Sequence, residues 1–518
     1  MKKLYQSLFI IVVFIFVNNL QAQVIVTSPT GTGAPSASYS TLADAVTAIN
    51  SGVIHTGTIT CSVNAGHIET APAEGITLTA TGTATNPITF IKNGTGTNPV
   101  INAGTIVGVP VVGIRYGIFK LAGSDYVTID GLTFADNSST TAPAMEFGVG
   151  LFKVDGTNGA NNNTIVNCVL NMRNFYGGSG IVTDNTTVSN GTVGLNVTSV
   201  AGSNSNNKFY SNSISGAITG ISLSGFGGVS PFPFVDTNND VGGNSLSTGN
   251  TILNFGGAPL STGKANGINT LAQYNANISY NTINNNNGQG ANHSGDLYGI
   301  SVVVSDGGVN ATINHNTVTV SSSSKGASLC GINLGKFTSN LVQGGSIIAN
   351  YNVVIANNLE FIEDGFNRAN GTTTGIRANL LCTNVNLNNN SVDITSATSK
   401  TGSVGITADG FVTAFANINN NTVSLKNTYD FTLATLIGMS FNIDSSAGAL
   451  SISGNAINAL EYASANGGFT GAKAVGMSNY GTSLTLVVSN NTFNNLNIKT
   501  PDDIDLIYLG SKIGRAHV

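Results

Sequence analysis

Tryptophan is absent from this chain, and charge is scarce. Only 8% of the residues are Asp, Glu, Lys or Arg, against roughly a quarter in an average globular domain. With 19 Lys and Arg and a net charge of -5, the chain has no cluster of cations to displace the counterions of a nucleic acid. Low charge does not mean disorder, because 41% of the residues are hydrophobic, enough apolar surface to form a core. The four cysteines have no CxxC spacing, which removes the usual cysteine metal knuckle. The missing Trp counts against a groove that stacks sugar rings, although Tyr and Phe can take that role. What fills the chain instead is Gly, at 64 residues, and an even larger number of Asn.

Long apolar runs are also missing, with one exception. "MKKLYQSLFIIVVFIFVNNLQAQ" has a Lys2-Lys3 start, an apolar run from Leu8 to Val17 and a polar exit at Ala22, the layout of a secretory signal too short to span a bilayer. Residues 1–22 are therefore expected to be removed on export, with no transmembrane span in the mature chain. Cys61, Cys168, Cys330 and Cys382 each sit in a strand-like apolar run, as in "TITCSV" and "SLCGINL". Buried free thiols behaving as small hydrophobes are expected.

One chord recurs: "IVNCVL", "ISYNTI", "INHNTV", "INNNTV", "VSNNTF". Its asparagines are Asn167, Asn212, Asn250, Asn281, Asn316, Asn352, Asn390, Asn421, Asn455 and Asn491, at a period of roughly 36 residues that signals a repeat architecture. The residue two positions on is apolar in every copy, from Val169 and Ile214 to Ile457 and Phe493. Three positions before the asparagine lies another apolar residue in most copies, such as Phe209, Ile278, Ile313, Leu387 and Ile418. An odd spacing places two strand residues on opposite faces, so both point inward only if the chain bends between them. Asparagine tolerates the left-handed conformation such a bend needs, and stacked copies would form an asparagine ladder.

A second motif, a glycine opening an alternating strand, appears at Gly180, Gly220, Gly299, Gly331, Gly405 and Gly438. Strand, bend, strand, loop, glycine and strand describe one coil of a parallel β-helix. Helical periodicity is lacking after the N-terminal region, and NG or DG hairpin turns are not periodic, which argues against an α-solenoid and a propeller. The pattern resembles the right-handed parallel β-helix superfamily, the pectate-lyase-like fold, over residues 125–511, with "SDYVTIDGLTFAD" as a first coil. The predicted fold is all-β, a right-handed parallel β-helix solenoid with an N-terminal helical cap. At about 4.8 Å per coil, ten or eleven coils make a rod roughly 50 Å long. Within residues 23–124, "YSTLADAVTAIN" is the one amphipathic helix, with Leu42, Ala45, Val46 and Ile49 on one face and Ser40 or Thr41 as cap. It is read as the cap that covers the solenoid's open end.

Polygalacturonases resembling this fold carry paired aspartates, a Gly-His-Gly and an Arg-x-Lys; pectate lyases carry acidic calcium ligands with a catalytic Arg or Lys. Neither set is present: the only Gly-His pair is Gly66-His67, and Arg-x-Lys does not occur. Asp236 and Asp240 in "FVDTNNDVGG" could bind calcium through oxygen, the plainer reading being a solvated loop. Glu360, Glu363, Asp364 and Arg368 form the densest charge cluster and are the first enzyme candidates, or else a projecting loop. His293 and His315 are isolated, with His315 placed in a strand facing outward. No catalytic, cofactor-binding or metal residue is assigned. The expected function is that of an exported or cell-surface non-catalytic rod, adhesin-like or structural and able to bind glycans, with extracellular polysaccharide or cell-surface components as partners. The alternative is a polysaccharide lyase or glycoside hydrolase.

The terminal "KIGRAHV", residues 512–518, breaks the Asn-rich texture and matches the translation of a common short-read sequencing adapter. The pattern as a whole resembles a truncated secreted bacterial protein of the kind that carries a C-terminal sorting domain for type nine secretion.

Overall fold

The computed structural model describes residues 23–498 and 504–509, apart from 29–35, 52–56, 138–144, 174–177, 229–232, 257–262, 287–292, 294, 305–309, 323–327, 337–344, 359–371, 397–401, 428–434, 445–448, 463–473 and 480–484. Its architecture is a parallel β-solenoid. Each coil runs through three strands, typified by Leu297–Val304, Ala311–Asn314 and Thr317–Ser322. Each strand pairs in parallel register with its equivalent one coil on, as in Ile300↔Ile332, Ile313↔Ala349 and Val318↔Val354. The third strands stack as one 14-stranded sheet. The first and second strands belong to a 26-stranded sheet, because Thr373–Asn388 and Ser403–Asn419 run unbroken through both columns. Parallel stacking from coil to coil removes the antiparallel blades of a propeller.

The core follows from the chord. Ile214, Ile252, Ile283, Val318, Val354, Val392, Val423 and Ile457 all point inward and are buried, as are Phe209, Ile278, Ile313, Leu387, Ile418 and Ile452. Burying each such side chain contributes about 1.5–3 kcal/mol. Opposite them stands a column of glycines, including Gly267, Gly299, Gly331, Gly375 and Gly405, against which the inward Ile or Val of the third strand packs.

The asparagine ladder forms, but the bend is one residue earlier than the sequence suggested. Left-handed φ angles belong to Ser211, Tyr280, His315, Tyr351, Asn389, Asn420 and Asn490, each immediately before a ladder asparagine. The ladder residue itself turns its amide inward and uses all of it. Asn250 Nδ2 donates to Phe209 O at 2.8 Å and to Asn281 Oδ1 at 2.9 Å. Its Oδ1 accepts from the N–H and Nδ2 of Asn212, both at 3.0 Å. Two donors and two acceptor sites are thereby satisfied in the interior. At the first copy the marker slips: Asn167 is the left-handed residue (φ 54), and Cys168 holds the ladder place, its N–H donating to Asn212 Oδ1 at 3.0 Å. Leu170, rather than Val169, is then the buried residue of that coil.

At the N-terminal end the strand Val24–Thr27 pairs antiparallel with Ala37–Tyr39 and Ile59–Asn64. Of the expected helical cap, the structure contains the single helix Leu42–Ile49, N-capped by Thr41 and burying Leu42, Ala45, Val46 and Ile49. All four cysteines are free and buried. Burial pushes the thiols of Cys168 and Cys382 up to about 12 and those of Cys61 and Cys330 upward as well, so they stay protonated and inert.

Candidate functional site

Among the described residues, the acids and histidines singled out in the sequence do not converge. His67 Nε2 lies 2.6 Å from Glu69 Oε2, and Glu69 accepts from the N–H of Leu42 at 2.6 Å. This pair docks the start of the helix onto the strand Ile68–Thr70. His293 is buried against Gly263 O at 2.6 Å, and burial lowers its pKa. Glu360, Glu363, Asp364 and Arg368 lie outside the described residues.

Asp236 and Asp240 are held by separate partners, and Asp236 is no solvated loop residue. Asp236 is wholly buried and pairs with the equally buried Lys153, Nζ to Oδ1 at 3.2 Å. Asn204 N–H donates to the same oxygen at 3.0 Å, and Lys153 also donates to Gly202 O at 2.8 Å. Burial raises the Asp236 carboxyl and lowers the Lys153 ammonium, each opposed by the partner's charge. Asp240 instead accepts from Tyr210 Oη at 2.6 Å, from Gly243 N–H at 3.0 Å and from Asn277 Nδ2 at 2.8 Å. Among the described residues no group of three or more His, Cys, Asp or Glu is arranged to hold a metal ion.

Coil stacking assembles a second charged cluster that the sequence did not reveal. Arg115 Nε lies 2.7 Å from Glu146 Oε2, and its Nη1 pairs with Asp184 Oδ2. The guanidinium also stands over the rings of Phe147 and Phe152, at 5.7 and 5.2 Å from their centroids. Charge and π faces are both occupied, which makes this cluster a clamp that holds the chain before Tyr116 against the outer face of the sheet.

The outer corner at the bend has a different character. Outward asparagines on the second strands join coil to coil: Asn350 N–H donates to Asn314 Oδ1 at 3.0 Å, Asn388 N–H to Asn350 Oδ1 at 2.8 Å and Asn419 N–H to Asn388 Oδ1 at 2.9 Å. Beside them Tyr280, His315 and Tyr351 stack ring on ring, with centroids 4.7 and 4.8 Å apart and planes within 7° and 16°. His315 is thus exposed as expected, but it sits on the bend after the strand Ala311–Asn314 rather than within it. The signal for this stack was present in the sequence, since all three residues hold the same offset, one before a ladder asparagine.

Comparison with known proteins identifies no family profile and no curated relative that matches this chain. Among the described residues no helix is long and apolar enough to cross a membrane.

Proposed function

We propose that the protein is an exported or cell-surface rod, adhesin-like or structural, that binds extracellular polysaccharide without turning it over. The observation that carries this reading is the polar corner, where outward asparagines join coil to coil and the rings of Tyr280, His315 and Tyr351 stack in three successive coils. A surface with the coil's own period suits a partner that is itself a linear repeat. The use of acidic groups supports a non-catalytic role: Glu69, Glu146, Asp184, Asp236 and Asp240 are each committed to an ion pair or hydrogen bonds that hold the fold. Paired carboxylates for glycoside hydrolysis must flank the scissile bond, roughly 5 to 9.5 Å apart and free to reach the sugar.

The test has two arms. The purified mature protein is incubated with immobilised polysaccharides for retention, and with pectins, alginates and glycosaminoglycans for released unsaturated or reducing ends. Retention without release is the expected result. Release that is abolished by Glu363→Gln or Asp364→Asn would replace this reading with the enzymatic one.

A further inference from the structure

The bend column sets a conformational requirement that two of its members, Tyr280 and Tyr351, meet poorly. Its left-handed positions are filled elsewhere by Asn167, Ser211, Asn389, Asn420, Gly454 and Asn490, the small or amide residues that adopt positive φ at least cost. Tyr280 (φ 62), His315 (φ 56) and Tyr351 (φ 57) interrupt that series in three successive coils. Bulky tyrosines at positive φ are strained, and such strain concentrates where a surface does something beyond folding. Two of the three are not buried in compensation: His315 is exposed and Tyr351 is 52% exposed, while Tyr280 is half-buried.

Their polar ends are also available. Among the described residues, neither the two phenol hydroxyls nor the His315 imidazole has a hydrogen-bond partner, while the rings contact one another. Hydroxyl, imidazole and hydroxyl therefore stand in a row with the ring spacing of 4.7 and 4.8 Å. The six strands that flank the stack on its two sides, from Ala276–Ser279 to Val353–Asn358, contain no charged residue.

We infer that the Tyr280–His315–Tyr351 stack is a binding site for a neutral, linear polysaccharide lying parallel to the solenoid axis. This inference rests on the glycan-binding reading above and places it on named residues. Successive sugar units present hydroxyls at an interval close to one coil rise, so each can meet one polar ring end. Their C–H faces lie against the exposed ring edges and the adjacent Thr282, Thr317 and Val353. The absence of Lys and Arg from these strands selects a neutral chain, because an anionic one would give up hydration with no strand cation to receive it.

The test uses the full chain and the triple variant Tyr280→Asn, His315→Asn and Tyr351→Asn. Asparagine is what the same column uses two coils running at Asn389 and Asn420, so this variant removes strain along with the rings. Affinity electrophoresis is run with mixed-linkage β-glucan, β-mannan and xylan, and with polygalacturonate as the anionic comparison. The expected result is retardation of the wild type by at least one neutral polymer and at least tenfold weaker binding by the triple variant, at an unchanged or higher melting temperature. Equal retardation of both proteins would overturn this site while leaving the glycan-binding reading in place. Retardation by polygalacturonate alone would overturn the neutral-ligand assignment. Failure of the wild type to bind any of the four would remove the reading and the site together. Should the triple variant not fold, Tyr351→Trp supplies a second measurement. With no other Trp in the chain, its emission reports on the stack alone, and a spectrum unmoved by a saturating polymer that retards the protein would likewise overturn the site.

Discussion

A Cβ placed on Gly299 would lie 2.1 Å from Cγ1 of Val318. The glycine that opens a first strand and the apolar residue that follows a ladder asparagine are therefore two sides of one contact across the core. Gly299→Ala must also push against Gly331 O, 2.6 Å from that Cβ, and main chain cannot move aside without disturbing the next coil. Overpacking typically costs about 1–3 kcal/mol, and the backbone clash places this variant at the upper end. Val318→Ala added to it should restore part of the loss, the carbonyl clash remaining; equal denaturant midpoints for wild type and Gly299→Ala would refute the contact.

Asn281→Ala removes an amide that takes the N–H and Nδ2 of Asn250 at 3.2 and 2.9 Å and donates to Val241 O at 2.9 Å. Each buried group left without a partner costs about 1–3 kcal/mol. The same change at Asn491, whose surroundings are only partly buried, should cost less. Thermal melts of the two variants side by side give the comparison.

Lys153→Met leaves Asp236 as an unpaired buried carboxylate, which costs about 3–5 kcal/mol. Adding Asp236→Asn should return most of that stability. The amide oxygen can still accept the Asn204 N–H, and the neighbouring coils already stack asparagines in this way, as Asn207 does on Asn239 at 2.9 Å. Urea midpoints of the single and double variants decide it.

Asp125 gives the stability a pH dependence of a particular sign. Burial is the largest influence on its carboxyl, outweighing the Asn161 N–H that donates to it at 2.6 Å, and pushes its pKa from 3.8 up to about 6. The folded state then holds this proton more tightly than the unfolded chain does. The contribution is fully present below pH 3.8 and is lost as pH rises to about 6. Asp125→Asn should remove that slope and be more stable than wild type at pH 7, as read from melting temperatures across the range.

The coil was legible because an inward column repeats its demands at every turn: Ile214, Ile252 and Ile283 each fill the same place, and only a bend lets them do so beside Phe209 or Ile278. The bend was placed one residue late because both positions are often asparagine, as in Asn389-Asn390 and Asn420-Asn421, and sequence alone does not say which amide faces in. Cys168 exposed the ambiguity by holding the ladder place without an amide, its N–H donating to Asn212 Oδ1 and its thiol to Ile129 O. The charged clusters were illegible for another reason. Arg115 and Asp184 are 69 residues apart, Lys153 and Asp236 are 83 apart, and neither pair shares a repeat position that would bring them together on inspection. Tyr280, His315 and Tyr351 did share one, but a residue one step before a ladder asparagine draws notice only once that step is known to be the exposed corner.

The hydrogen bonds that join the coils all run along the rod, while the chain itself runs across it. A pull on the two chain ends therefore does not load the whole ladder together. It concentrates force on the terminal coil, whose backbone and asparagine bonds open in turn before the next coil feels the load. Under tension the molecule behaves as a tape unwound from a spool, each release freeing one coil of roughly 36 residues and so about 120 Å of extended chain. Pressed or sheared from the side, the same rod resists as a single body.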